Sequence, residues 1–191
     1  MQRMPGLGEL PGGRTVSACR ETDACLCREC YLRKFGAAAL EKLELAELAD
    51  AAAAGIVVVG CGAAKLPHRA PAQLLYTGSY SRACMLTARV LAPGSWWILS
   101  AAHGLIPPGR PTEPYDMTLG EPGAITGAAL FVQASDLGLL GEPVIALCGT
   151  RYADLLEYVW PKVRRPLAGL GIGRQRHVLA VLRGNGRRDH A

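Results

Sequence analysis

Three times along the chain a short apolar run breaks off into small and polar residues. Residues 56–59 run into Gly60, Cys61 and Gly62, residues 96–99 into Ser100, Ala101, Ala102, His103 and Gly104, and residues 144–147 into Cys148, Gly149 and Thr150. Apolar runs without polar alternation suit strands covered on both faces, as in a parallel sheet between helices. The expectation is an α/β chain with a three-layer, Rossmann-like fold: a mainly parallel sheet flanked by helices, preceded by a small N-terminal cysteine-rich extension. In open sheets of this kind ligands bind in the crevice beyond the carboxyl ends of the strands. Cys61, Lys65, Ser100 and His103 all fall there.

The segments between the runs read as helices. Residues 31–54 are rich in Ala, Leu, Glu and Lys and are stopped by Gly55, which predicts a helix. A second is expected over 80–91 with Ser79 or Ser81 as N-cap, a third around 124–134, a fourth over 152–160 stopped by Pro161, and a closing one near 173–182. The organisation expected is a lead-in with cysteine cluster and helix over 1–54, an α/β catalytic or binding domain over 55–183, and a basic tail over 184–191. A length of 191 residues suits one well-buried core.

Half of the residues are hydrophobic and 19% are charged, which argues against general disorder. The net charge of +5 permits a polyanionic partner without requiring one. No run reaches the length of a membrane span, and the start, MQRMPGLGELPGG, lacks the apolar core of a signal peptide. A soluble cytoplasmic protein is expected. Seven cysteines, an odd count with several inside apolar runs, argue against a secreted disulfide framework. Cys19, Cys25, Cys27 and Cys30 could close a tetrahedral zinc site. Only Cys27 and Cys30 make the usual CxxC step, so surface thiols at a helix start are an equal alternative.

The first junction is neither a P-loop nor a dinucleotide fingerprint. Gly60 and Gly62 nevertheless let the backbone turn tightly, and free N–H groups with Lys65 would cradle an anion. Tyr76, Gly78 and Ser79 lie at the next helix entrance, with Arg82 in its first turn, where a cation opposes the helix dipole unless an anion binds nearby. His103 is the natural proton-transfer group at neutral pH, and Gly104 behind it suits a sharp turn. Pro107, Pro108, Pro111 and Pro114 stiffen the loop that delivers Glu113, Tyr115 and Asp116. The third junction brings Gly149, Thr150, Arg151 and Tyr152 toward the same edge, Gly149 being taken as a binding residue. Arg174, Arg176, Arg183, Arg187 and Arg188 are candidate phosphate contacts or a solvated face.

Four blocks carry a resemblance: Cys61 with Lys65; Tyr76, Gly78 and Ser79; Ser100, His103 and Gly104; Tyr115 and Asp116. In this order they resemble a bacterial and phage domain family of unknown function, more distantly similar to the peroxide stress protein YaaA, over roughly residues 55–183. The Cys-x-x-x-Lys block is also similar to one in archaeosine synthase, which implies chemistry on a nucleobase, nucleoside or nucleic acid.

Three readings follow. The first is an enzyme acting on a nucleoside, nucleotide or base in nucleic acid, by cleavage or exchange of an N-glycosidic bond. Asp116 or Glu113 would stabilise or attack the sugar cation and His103 would move the proton, or Cys61 would be a covalent nucleophile. Lys65, Arg82 and backbone N–H groups near Gly62 and Ser79 would hold phosphate, with Tyr76 or Tyr115 stacked on the base and Gly78, Ser100 and Gly104 among the substrate-binding residues. The second is a non-enzymatic nucleic-acid-binding or stress-response protein. The third is a zinc or redox sensor built on the clustered cysteines.

Overall fold

The structure is a computed structural model, and it describes residues 32, 33, 35 and 37–185. The chain divides into two units, Met1–Asp50 and Ala51–Ala191. Helix α1, Ala37–Ala53, begins in the first; its Leu45 and Leu48 are buried. The cysteines at 19, 25, 27 and 30 lie outside the described residues.

The second unit is mixed α/β. Strand β1 (Ile56–Gly60) pairs in parallel with β3 (Trp96–Ser100) on one side and β6 (Val144–Leu147) on the other. β4 (Gly104–Ile106) returns antiparallel against β3, giving the sheet order β4-β3-β1-β6. The three expected strands are therefore the parallel part of the sheet. The antiparallel fourth is too short to announce itself in the sequence. A two-stranded antiparallel ribbon joins β2 (Ala70–Pro71) to β5 (Pro111–Thr112).

Residues 56–59 and 144–147 are buried throughout, as their unbroken apolar character requires. On one face Ile56, Val58, Leu99, Leu105, Val144 and Ala146 pack with Leu130 and Ala134 of α4 (Gly127–Asp136) and Ala153, Leu156 and Val159 of α5 (Thr150–Val159). The alternating set, Val57, Val59, Ile98, Ile145 and Leu147, is buried as well. Helix α3 (Ser79–Leu91) packs on β1 and against α6 (Ile172–Asn185). Between β2 and α3 lies the single turn α2 (Ala72–Leu75).

Helix α4 starts later than its composition indicates, because the Ile125 N–H is committed to the Ala101 carbonyl at 2.8 Å and Thr126 supplies the N-cap, accepting from the Ala129 N–H at 3.2 Å. Beyond β6 the outer edge is closed by the chain itself: the Ala146 N–H donates to the Arg164 carbonyl and the Arg164 N–H to the Val144 carbonyl, each at 2.9 Å. Arg165 anchors that segment to α5 through Asp154 and Glu157, both at 2.7 Å. No helix among the described residues is long and apolar enough to cross a membrane.

Candidate functional site

Cys61 follows the last residue of β1, and its N–H donates to the Leu99 carbonyl at 3.0 Å, so the thiol is anchored at the carboxyl edge of the central strand. Gly62 comes next. A Cβ there would stand 2.4 Å from the Ser81 hydroxyl, so only glycine lets this loop lie against the first turn of α3. The chain then pairs with the segment after α2: Lys65 and Tyr76 are bridge partners, the Leu66 N–H donates to the Leu75 carbonyl at 2.8 Å, and the Thr77 N–H to the Ala64 carbonyl at 2.9 Å. That pairing makes cross-strand neighbours of two blocks separated in sequence.

Tyr76 is wholly buried. Its hydroxyl shares a hydrogen bond of 2.9 Å with that of Tyr115, which accepts from the Ser100 hydroxyl at 2.8 Å. Ser100, also wholly buried, accepts in turn from the N–H groups of Ala102 (3.2 Å) and His103 (3.1 Å). The His103 ring meets Tyr115 edge-on, with centroids 5.2 Å apart. The Lys65 ammonium lies 4.3 Å from the centre of the Tyr115 ring and 5.9 Å from that of Tyr76, within cation–π reach of both. From the third junction Tyr152 brings its hydroxyl to 3.0 Å from the Cys61 sulfur.

Burial is the leading cause that pushes the Tyr76, Tyr115 and Tyr152 phenols above their ordinary pKa, and the neighbouring Cys61 adds to the rise in all three. All three therefore keep their protons at neutral pH and act as neutral hydrogen-bonding groups. His103 is shifted down, first by desolvation and then by the like charge of Arg110, so its imidazole is held neutral near pH 7. The recess combines a thiol, three neutral phenols, a neutral imidazole and one ammonium. Its partly exposed groups, Cys61, Tyr115, Tyr152, Lys65 and His103, offer a sulfur nucleophile, neutral hydrogen-bond donors and a cation, while Tyr76 is buried behind them.

The sequence-chosen residues divide clearly. Cys61, Lys65, Tyr76, Ser100, His103 and Tyr115 come together. Gly104 ends the turn behind His103 with φ +67°, a left-handed conformation that suits glycine. Glu113 and Asp116 are exposed; Glu113 faces Arg69 at 3.8 Å, and of the proline-stiffened loop it is Tyr115 that turns inward. Gly78 is the N-cap of α3, Ser79 accepts from Arg176 at 3.0 Å, and Arg82 is exposed. Gly149, the N-cap of α5, lines a separate cavity of about 210 Å³ with Cys148, Thr150, Arg165 and Gln175. Among the described residues no three His, Cys, Asp or Glu side chains are grouped to hold a metal ion.

The family model of DUF6884, a family of unknown function, matches residues 56–181, from the first residue of β1 into α6. The chain belongs to the DUF6884 family. No curated protein and no solved structure matches it. The match spans every residue of the recess in this DUF6884 chain and leaves the N-terminal cysteines outside.

Tyr152 was placed at this edge by its junction, which repeats the strand-to-helix layout of the first two, but without a role; its contact with Cys61 supplies one. Gln133 of this DUF6884 domain lies mid-helix in α4, was not singled out, and carries no such signal. Its amide accepts from the Leu105 N–H at 2.7 Å and donates to the carbonyls of Leu105 (3.0 Å) and His103 (3.2 Å). Of the arginines considered for phosphate, Arg183 is spent on the Ala83 carbonyl (3.2 Å) and the Thr87 hydroxyl (3.1 Å), fastening α6 to α3. Arg187 and Arg188 lie outside the described residues.

Proposed function

We propose that this DUF6884 chain is an enzyme acting on a nucleobase-bearing substrate, a nucleoside, nucleotide or base within nucleic acid, with Cys61 as the attacking group. The observation that carries this reading is the half-buried Cys61 thiol held 3.0 Å from a neutral phenol, beside the partly exposed Tyr115, with the wholly buried Tyr76 hydrogen-bonded behind it. A scaffold has no need of a half-buried thiol that shares a hydrogen bond with a phenol, whereas a nucleophile gains from a phenol placed to donate to its sulfur, and the partly exposed Tyr115 ring offers a face to a heterocycle. Lys65 and His103 supply a cation and a proton carrier, both against the Tyr115 ring. Exchange or cleavage of an N-glycosidic bond remains the reaction class we favour. The attack is assigned to the thiol rather than to Asp116 or Glu113, because both carboxylates are solvent-exposed.

The similarity of the Cys61–Lys65 block to that of archaeosine synthase supports a base-directed substrate, and the wider likeness to YaaA leaves the stress-response reading as the competitor. The parallel β3-β1-β6 core with helices packed on it supports a Rossmann-like description, in which this recess occupies the usual crevice. The test is to incubate the protein with nucleosides, nucleotides, tRNA and DNA, measuring released base by chromatography and covalent adducts on Cys61 by intact mass. Release or an adduct that disappears in Cys61→Ser is expected. Equal turnover by Cys61→Ser and the wild-type chain would overturn the assignment. Salt-dependent nucleic-acid binding with no turnover by any substrate would favour a binding protein.

A further inference from the structure

We propose that Gln133 is a positioning residue for His103, an amide that takes the place of a missing strand and holds the histidine turn from outside. The inference rests on the reading above only in treating His103 as part of the site. β4 is the outer strand of the sheet, and the groups that a further strand would pair, the N–H and C=O of Leu105, are both taken by the Gln133 amide at 2.7 and 3.0 Å. The same side chain reaches two residues back, its Nε2 donating to the His103 carbonyl at 3.2 Å. Ser100 holds the His103 N–H from the inner side at 3.1 Å. The peptide groups on both sides of the His103 Cα are thus pinned by side chains from different elements. The remaining freedom is rotation of the imidazole, which rests edge-on against Tyr115.

Gly104 shows that this clamp is built in. A Cβ at that position would lie 2.2 Å from Gln133 Oε1, so the glycine supplies both the left-handed turn and the space through which the amide enters. Asparagine is one methylene too short to span from α4 to all three backbone groups. Glutamate has the length and an acceptor for Leu105 N–H but no donor for either carbonyl.

The experiment uses the full chain and no substrate. Amide hydrogen exchange at His103 and the ring resonances of its imidazole are followed by NMR in Gln133→Leu and Gln133→Glu, with Leu130→Ala as a control that removes core packing from the same helix. Arg110 and Tyr115 are the charged and titratable groups around the ring, and both are left intact. Gln133→Leu should speed exchange at His103 by about tenfold or more and move the ring resonances toward those of a free histidine. Gln133→Glu should do the same at His103 while leaving the Leu105 amide protected, which keeps the question open to measurement if the leucine variant fails to fold. Leu130→Ala should lower Tm without either change. Unchanged His103 exchange and ring shifts in Gln133→Glu would overturn the proposal, whatever the outcome with substrates.

Discussion

Replacing Ser100 by alanine isolates a single oxygen atom. That oxygen accepts the N–H groups of Ala102 and His103 and donates to Tyr115 from a wholly buried position. Alanine keeps the strand backbone but strands two donors and removes one partner of the phenol. An unsatisfied buried polar group costs about 1–3 kcal/mol. His103 is itself exposed, so water recovers part of the loss at its amide, and the expected total is about 2–4 kcal/mol. At roughly 2–4 °C per kcal/mol for a domain of this size, Tm should fall by about 5–15 °C. Urea and thermal unfolding of Ser100→Ala, Tyr115→Phe and the double variant measure it. The cycle should show a coupling of about 1 kcal/mol, because both single changes break the same bond. A loss below about 1 kcal/mol, or a strictly additive cycle, would refute the view of Ser100 as the strut that joins the histidine turn to the phenol pair.

Tyr152→Phe removes the hydroxyl that shares a hydrogen bond with Cys61 and should slow its alkylation at neutral pH by about tenfold, read by peptide mass mapping. Burial pushes Cys84 up to about 11 and Cys148 up to about 12, so Cys61 should label first among the described cysteines. Arg110→Ala removes a like charge and should raise the His103 titration midpoint by NMR; a midpoint that falls or stays fixed contradicts the cause given above. Because folding lowers the pKa of this histidine, its contribution to stability is present above the ordinary histidine pKa and is lost as pH falls through the lowered value. For the N-terminal cysteines, elemental analysis decides between the two readings: stoichiometric zinc that is lost in Cys27→Ser marks a zinc site, and a metal-free wild-type chain marks surface thiols.

Much of the architecture was legible because the three parallel strands are buried on both faces and so must be apolar without interruption. β4 was hidden by its length, three residues in a segment that reads equally well as a turn. The proline-rich loop was expected to deliver Glu113, Tyr115 and Asp116 together, yet only Tyr115 turns inward, since a tyrosine loses less on leaving water than an ionised Asp116 would. Tyr152 and Gln133 enter through helices whose periodicity reports only which face is buried, not which neighbour a polar tip will meet. Lys65 was read as adding charge to an anion cradle of backbone N–H groups at the glycine turn; what fixes its position is the bridge to Tyr76, a non-local pairing invisible in either block alone.

The main-chain bonds between Arg164 and β6 bear on how the protein avoids self-association. A parallel sheet that ended at β6 would present an open ladder to any other copy of itself. Here the chain folds its own backbone over that ladder and rivets it to α5 with two carboxylates. Weakening the rivet at Arg165 should therefore show itself first as aggregation at raised concentration, before the interior of the domain loses any of its packing.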